Sequence, residues 1–253
     1  MALDAAVVFV SAGMFEPKKR DHALARRQLY LNYGALSLAT QLELAGHCAI
    51  LVHGEHRSPA EILNQLVTSR YLPSRYPLML SIPSFYALPW AQDFARLFKR
   101  IFPGDEIIVG GRWVVGPDVD WFRDKIPEAG RLVPGLGEGV LCDLLASSQH
   151  IHERRPASTP DFPLNHRLVL GYEAFQPSIE VSRGCGMGCV FCEERDIRLE
   201  RVRDATRVAQ FLELTSAQYN RETIHPYLQA SFFAPGRNWA NQLATEVKNR
   251  GLT

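Results

Sequence analysis

The chain has 253 residues, 46% of them hydrophobic and 10% aromatic, with a formal net charge of +1. That apolar fraction supports a sizeable core in one large or two modest domains, and it excludes a disordered chain. The even charge balance argues against a nucleic-acid surface. The first apolar run is broken within about a dozen residues, too few to span a bilayer. The opening MALDAAVVFVSAGMF lacks the basic start of a signal peptide. The expectation is a cytoplasmic protein with no membrane and no nucleic-acid partner, whose clustered thiols hold metal rather than disulfides.

Residues 5–11 read as a strand. Residues 33–45 follow a helical pattern, with Ala35, Leu36, Leu38, Ala39, Leu42 and Leu44 on the apolar face and Gly46 as the stop. A second strand spans 48–53. Ser58-Pro59-Ala60-Glu61 is a capping box with proline at the first helical position, and it opens the second helix. Strands are predicted at 76–82, 106–109 and 131–133, and helices at 91–101, 118–125 and 137–147. Five βα units in series predict an α/β fold, a doubly wound, Rossmann-like parallel sheet over residues 1–150.

Ligands bind such sheets at the carboxyl ends of the strands. The loops there carry Gly110, Gly111, Gly135, Gly137 and Gly139, where backbone can approach a large flat ligand or a phosphate. No G-x-G-x-x-G follows the first strand, so a dinucleotide is not expected. His53 and His56, near the end of the second strand, read as solvent-facing loop residues. Cys48 and Cys142, alone on apolar segments, read as small core residues. Residues 151–175 form the expected linker, rich in proline and charge up to 164, then a strap leading to a second domain at 176–253.

Three of the five cysteines fall in Ser182-Arg183-Gly184-Cys185-Gly186-Met187-Gly188-Cys189-Val190-Phe191-Cys192. The spacing is C-x₃-C-x₂-C, directly after a strand predicted at 178–181. A structural zinc site normally takes four protein ligands. Three thiolates suit an iron–sulfur cube that leaves one iron free. Gly184, Gly186 and Gly188 let a short loop fold its sulfurs around one centre. The alternatives are zinc completed by a distant His166 or His225, or three reactive or buried thiols.

This loop resembles that of the radical S-adenosylmethionine (SAM) enzymes, whose C-x₃-C-x-aromatic-C run follows the first strand of a partial (β/α) barrel. The resemblance implies that Cys185, Cys189 and Cys192 hold a [4Fe-4S] cluster, that SAM binds its free iron, and that Phe191 lies near the adenine. Reductive cleavage of SAM would yield a 5'-deoxyadenosyl radical, with an electron donor such as flavodoxin or ferredoxin as partner. The N-terminal domain resembles the cobalamin-binding domain preceding the barrel in one radical SAM class. There the fourth strand ends in Gly-Gly, here Gly110-Gly111, and the fifth is followed by Gly-Glu-Gly, here Gly137-Glu138-Gly139. Asp-x-His-x-x-Gly is absent from this sequence, so cobalamin would bind with no histidine on cobalt. The class implies radical methyl transfer to an unactivated carbon of a small molecule. Rearrangement, oxidation, or a non-catalytic cobalamin or iron–sulfur module are the alternatives.

Beyond the cysteines, 201–219 reads as the first barrel helix, 227–233 as the second strand and 238–250 as its helix, with a third strand starting at 252. In the family the second strand contacts the SAM amino group, so Gln229, Ser231 and Phe233 are candidates. Arg183, Glu193 and Glu194 flank the cluster, as SAM-holding groups or as solvated loop charges. The stretch from Ser178 accommodates about two βα units at roughly 30 residues each. The expectation is an incomplete barrel: a fragment, a natural truncation, or one that another chain completes.

Overall fold

The computed structural model of the chain describes residues 6–15, 29–114, 118–141, 161–190, 192, 198–200, 202–219, 225–233 and 235–252. The chain divides into two compact units. The first comprises Met1–Ala23, Asn32–Pro156 and Leu168–Leu170; the second comprises Leu24–Leu31, Ala157–Arg167 and Gly171–Thr253. The division is not a single cut, because short segments of each unit are interleaved with the other in sequence.

The first unit contains β1 (Ala6–Ser11), α1 (Tyr33–Leu44), β3 (Cys48–His53), α2 (Pro59–Thr68), β4 (Leu78–Ser81), α3 (Leu88–Ile101), β5 (Ile107–Gly110), α4 (Val119–Lys125) and β6 (Arg131–Leu132). Its strands form one sheet in the order β3-β1-β4-β5-β6, and every pairing is parallel. The chain winds outward both ways from β1, so the sheet has a switch point between β1 and β4. β1 is apolar along most of its length and buried at every residue, as a central strand covered on both faces must be.

Local signals explain these elements. Ser58 Oγ accepts from the Glu61 amide at 3.3 Å while Glu61 Oε2 accepts from the Ser58 amide at 2.7 Å, so the capping box closes as read. α3 buries Leu88, Trp90, Ala91, Phe94, Ala95 and Phe98, all on the i, i+3/i+4 stripe. Trp90 stacks on Phe94 at 5.2 Å and Phe94 on Phe98 at 6.4 Å between ring centroids. α3 starts at Leu88 rather than 91, with a proline in its first turn and a 3₁₀ turn at Phe85–Ala87 leading in.

The expected helix at 137 begins instead as a 3₁₀ turn, Gly137–Gly139, and residues 142–147, with Cys142, lie outside the described residues. Cys48 is half-buried at the start of β3. No helix among the described residues is long and apolar enough to cross a membrane.

The second unit holds two small parallel sheets. β2 (Leu29–Tyr30) pairs with β7 (Phe175–Gln176), two residues each and too short to leave a periodic signal in the sequence. β8 (Ser178–Glu180) pairs with β9 (Tyr227–Gln229), in register Ser178 to Tyr227 and Glu180 to Gln229. α5 (Ala205–Ser216) and α6 (Arg237–Asn249) follow the two strands. Their core is Ile179, Val181, Val208, Phe211 and Leu212, with Leu228, Trp239, Leu243 and Val247 packed against it.

α5 starts at Ala205, not 201. The Arg203 amide donates to the Val181 carbonyl at 2.7 Å, and Asp204 then caps the helix by accepting from Thr206 N at 2.9 Å.

Candidate functional site

The cysteine loop leaves the carboxyl end of β8. Val181 N donates to Gln229 O at 2.9 Å, and the Val181 carbonyl accepts from Arg203 N. One step further the Arg183 carbonyl accepts from Glu200 N at 2.9 Å. These bonds close the neck of a loop running from Gly184 to Leu199. Inside it Gly184, Gly186 and Gly188 have φ of 72°, 72° and 65°, a left-handed conformation costly for any side-chain-bearing residue. Two of these glycines flank Cys185 and the third precedes Cys189. Cys192 N then donates to Cys189 O at 3.0 Å in a turn.

Cys185, Cys189 and Cys192 are free and half-buried. Among the described residues no group of three or more His, Cys, Asp or Glu side chains converges as a metal site. Cys185, Cys189 and Cys192 are all described, so the three thiols are not gathered as a metal site in this structure. By donor type alone, three thiolates suit an iron–sulfur cluster.

The histidines that zinc would recruit are placed elsewhere. His166 is fully buried; its Nε2 accepts from Ser178 N at 3.2 Å, and burial lowers its pKa to about 4. His225 is exposed, and its carbonyl accepts from Gln176 Nε2.

At the neck Arg183 and Glu180 form a two-pronged ion pair. Nε donates to Oε1 at 2.9 Å and Nη2 to Oε2 at 3.1 Å, with both side chains under a tenth exposed. Arg183 is therefore not a solvated loop charge. Glu193 and Glu194 lie outside the described residues, as does Phe191.

Gln229 closes β9, half-buried, beside Glu180. Ser231 and Phe233 lie past the strand and are exposed. The strand expected over 227–233 stops at Gln229 because the Val181 carbonyl, which would continue the ladder, is taken by Arg203. Gln229 and Ser231 therefore do not share one face of a strand.

In the first unit the switch point is filled by polar side chains. Asn32 Nδ2 donates to Ser11 Oγ and to Ser81 Oγ, each at 3.0 Å, joining the ends of β1 and β4. Asn32 Oδ1 caps α1 by accepting from Ala35 N, and Asn32 N donates to His53 Nε2 at 3.3 Å. His53 is buried, not solvent-facing. Desolvation, with the Arg57 charge adding to it, lowers its pKa to about 3, so it stands neutral and accepts. His56 is the exposed member of the pair, its Nδ1 3.4 Å from Met14 O. No sequence signal pointed to Asn32 beyond its place before a helix.

The glycines of the carboxyl-end loops differ in what they do. Gly111 has φ of 113°, and a Cβ there would meet Ile82 N at 2.6 Å, so the protein's own backbone requires it. A Cβ on Gly110 would press on Val133 O and one on Gly137 on Leu38. At Gly135, with φ of 78°, and at Gly139 a Cβ would meet no atom of the described residues within 4 Å. Glu138 is buried. The open positions Gly135 and Gly139 are those where a ligand could approach the backbone; Gly110, Gly111 and Gly137 serve close packing. The chain matches no protein-family model and no curated protein.

Proposed function

We propose that the chain is a cobalamin-binding radical SAM protein that takes part in radical methyl transfer to an unactivated carbon of a small molecule. One observation carries this reading: a C-x₃-C-x₂-C loop with three left-handed glycines leaves the carboxyl end of a parallel strand in an α/β chain. Cys185, Cys189 and Cys192 would hold a [4Fe-4S] cluster as its three protein ligands. Phe191, Gln229 and Ser231 are the residues proposed to face SAM.

The carboxyl-end loops of the first unit, with Gly110, Gly111, Gly135, Gly137, Glu138 and Gly139, would take cobalamin. When bound, these groups supply an electron that cleaves SAM and a methyl carrier. The chain's own part is to hold them, orient them and keep water away. Among its residues, the neck bonds from Val181 and Arg183 tie the base of the thiol loop, and buried His53 stays neutral at the switch point. A flavodoxin or ferredoxin as electron donor belongs to the same reading.

The test is anaerobic reconstitution with iron, sulfide and hydroxocobalamin, followed by metal analysis and EPR of the reduced protein with and without SAM. About four irons and one cobalt per chain, with a cluster signal that SAM perturbs, support the reading. Cobalt without a SAM response reduces the chain to a cobalamin-binding module. Zinc with neither iron nor cobalt refutes it.

A further inference from the structure

The neck of the cysteine loop contains a costly feature that sequence patterning does not require. Glu180 is the last residue of β8, and Arg183 lies two residues before Cys185. Taking both charges out of water is unfavourable, and a well-packed apolar pair of similar volume often stabilises a fold as well or better. A planar guanidinium on a carboxylate adds direction: two parallel bonds fix the orientation of both side chains. Here the fork spans i to i+3 outside any helix, so it ties the strand end to the start of the loop.

Three backbone contacts extend the tie across the returning limb. Glu200 N donates to Arg183 O, Arg203 N donates to Val181 O, and Arg203 Nε donates to Glu180 O at 3.2 Å. The strand end, the residue before Gly184 and the two residues that close the loop are thus one hydrogen-bonded unit around a buried ion pair.

We infer that the Glu180–Arg183 pair is a positioning device for the thiol loop: it sets the direction in which Gly184 and Cys185 leave the strand. This rests on the reading of the loop as the cluster site, but the positioning itself does not need the cluster. The pair holds the register between the outgoing and returning limbs, and with it the direction in which the three glycines carry the chain away from the strand.

The experiment uses the full chain without metal, then the same chain after reconstitution with iron and sulfide. Arg183→Lys keeps the charge and loses the fork; Glu180→Gln keeps the shape and loses the charge. Amide exchange at Glu200 and Arg203 is measured against exchange at Phe211 and Leu212 inside α5. Alkylation of Cys185, Cys189 and Cys192 by iodoacetamide is mapped in parallel.

The expected result for Arg183→Lys is faster exchange at Glu200 and Arg203, by about tenfold for the loss of one charge-assisted bond. The α5 amides should not change, the alkylation pattern of the three thiols should shift, and iron uptake should fall several-fold. Glu180→Gln should move the same readouts in the same direction, and it keeps the test open if the lysine variant fails to fold.

Unchanged neck exchange and unchanged iron uptake in both variants overturn the inference. So does acceleration spread equally into α5, which would make the pair a general structural support. Wild-type protein that takes up no iron, with neck exchange still responding as expected, would refute the cluster reading and leave the positioning role standing.

Discussion

In each unit an indole N–H donates to a backbone carbonyl at 2.7 Å, Trp90 to Arg57 and Trp239 to Arg203. Around Trp90 everything is packed: it is fully buried, stacked on Phe94, and α3 buries six residues. Trp239 is half-buried, touches Phe233 edge-on, and sits on α6, which buries no residue completely. The same bond therefore has different neighbours. The first unit is held by interlocked apolar side chains around a five-stranded sheet. The second is held by a small core together with hydrogen bonds and ion pairs, Glu180–Arg183 and Arg203–Asp161 among them. The cysteine loop lies on the second, where its position depends on polar contacts with strict geometry rather than on bulk packing.

The largest expected effect tests whether the two units carry separable sites. Cys185→Ala, Cys189→Ala or Cys192→Ala should each abolish iron–sulfur incorporation while leaving cobalamin uptake in place. Metal analysis after reconstitution reads both, and joint loss of iron and cobalt would break the division. Next, Trp90→Ala should cost about 4 kcal/mol in urea unfolding, as expected for a fully buried aromatic. Trp239→Ala should cost about 1–2 kcal/mol, for partial burial and one hydrogen bond. Equal costs would mean that the second unit is packed as tightly as the first.

A smaller effect follows from pH. Burial holds His53 at about 3 and His166 at about 4, below the ordinary 6.5. Below pH 6.5 the unfolded chain binds protons that the folded chain refuses. The contribution is complete above 6.5 and is lost as pH falls toward 4 for His166 and toward 3 for His53. Urea midpoints should drop between pH 7 and pH 4.5, and His53→Gln should flatten part of that drop. A variant whose slope equals the wild type's would remove His53 from the account. The smallest pair compares like with like: Ser58→Ala and Asp204→Ala each remove a helix N-cap, one per unit, and each should cost about 1 kcal/mol. A much larger loss at Asp204 would show that the cap also supports the loop neck beside it.

The elements legible beforehand are those whose cause is local. The strand at 48–53, the Ser58–Glu61 capping box and the helix ending before Gly46 follow from periodicity, capping chemistry and glycine, each acting within a few residues. The spacing of the three cysteines and the glycines between them is likewise a property of consecutive residues, and the left-handed turns at 184, 186 and 188 match it.

What could not be read is what depends on residues far apart in sequence. His53 appears polar and exposed in a loop, yet Asn32, 21 residues earlier, buries it in the switch-point node and bridges Ser11 to Ser81. The second strand of the second unit looks suitable to 233 but ends at Gln229 because Arg203 takes the carbonyl that would have continued the pairing. Arg183 looks like a loop charge although its partner Glu180 stands only three residues earlier; there the unreadable part is the burial, which leaves both side chains under a tenth exposed. Sequence by itself determined which short segments coil, extend or turn, because steric and capping preferences act between neighbours. Tertiary structure alone decided which polar groups distant in sequence meet, because a buried donor or acceptor must find its partner wherever the chain returns, and no local pattern records that place.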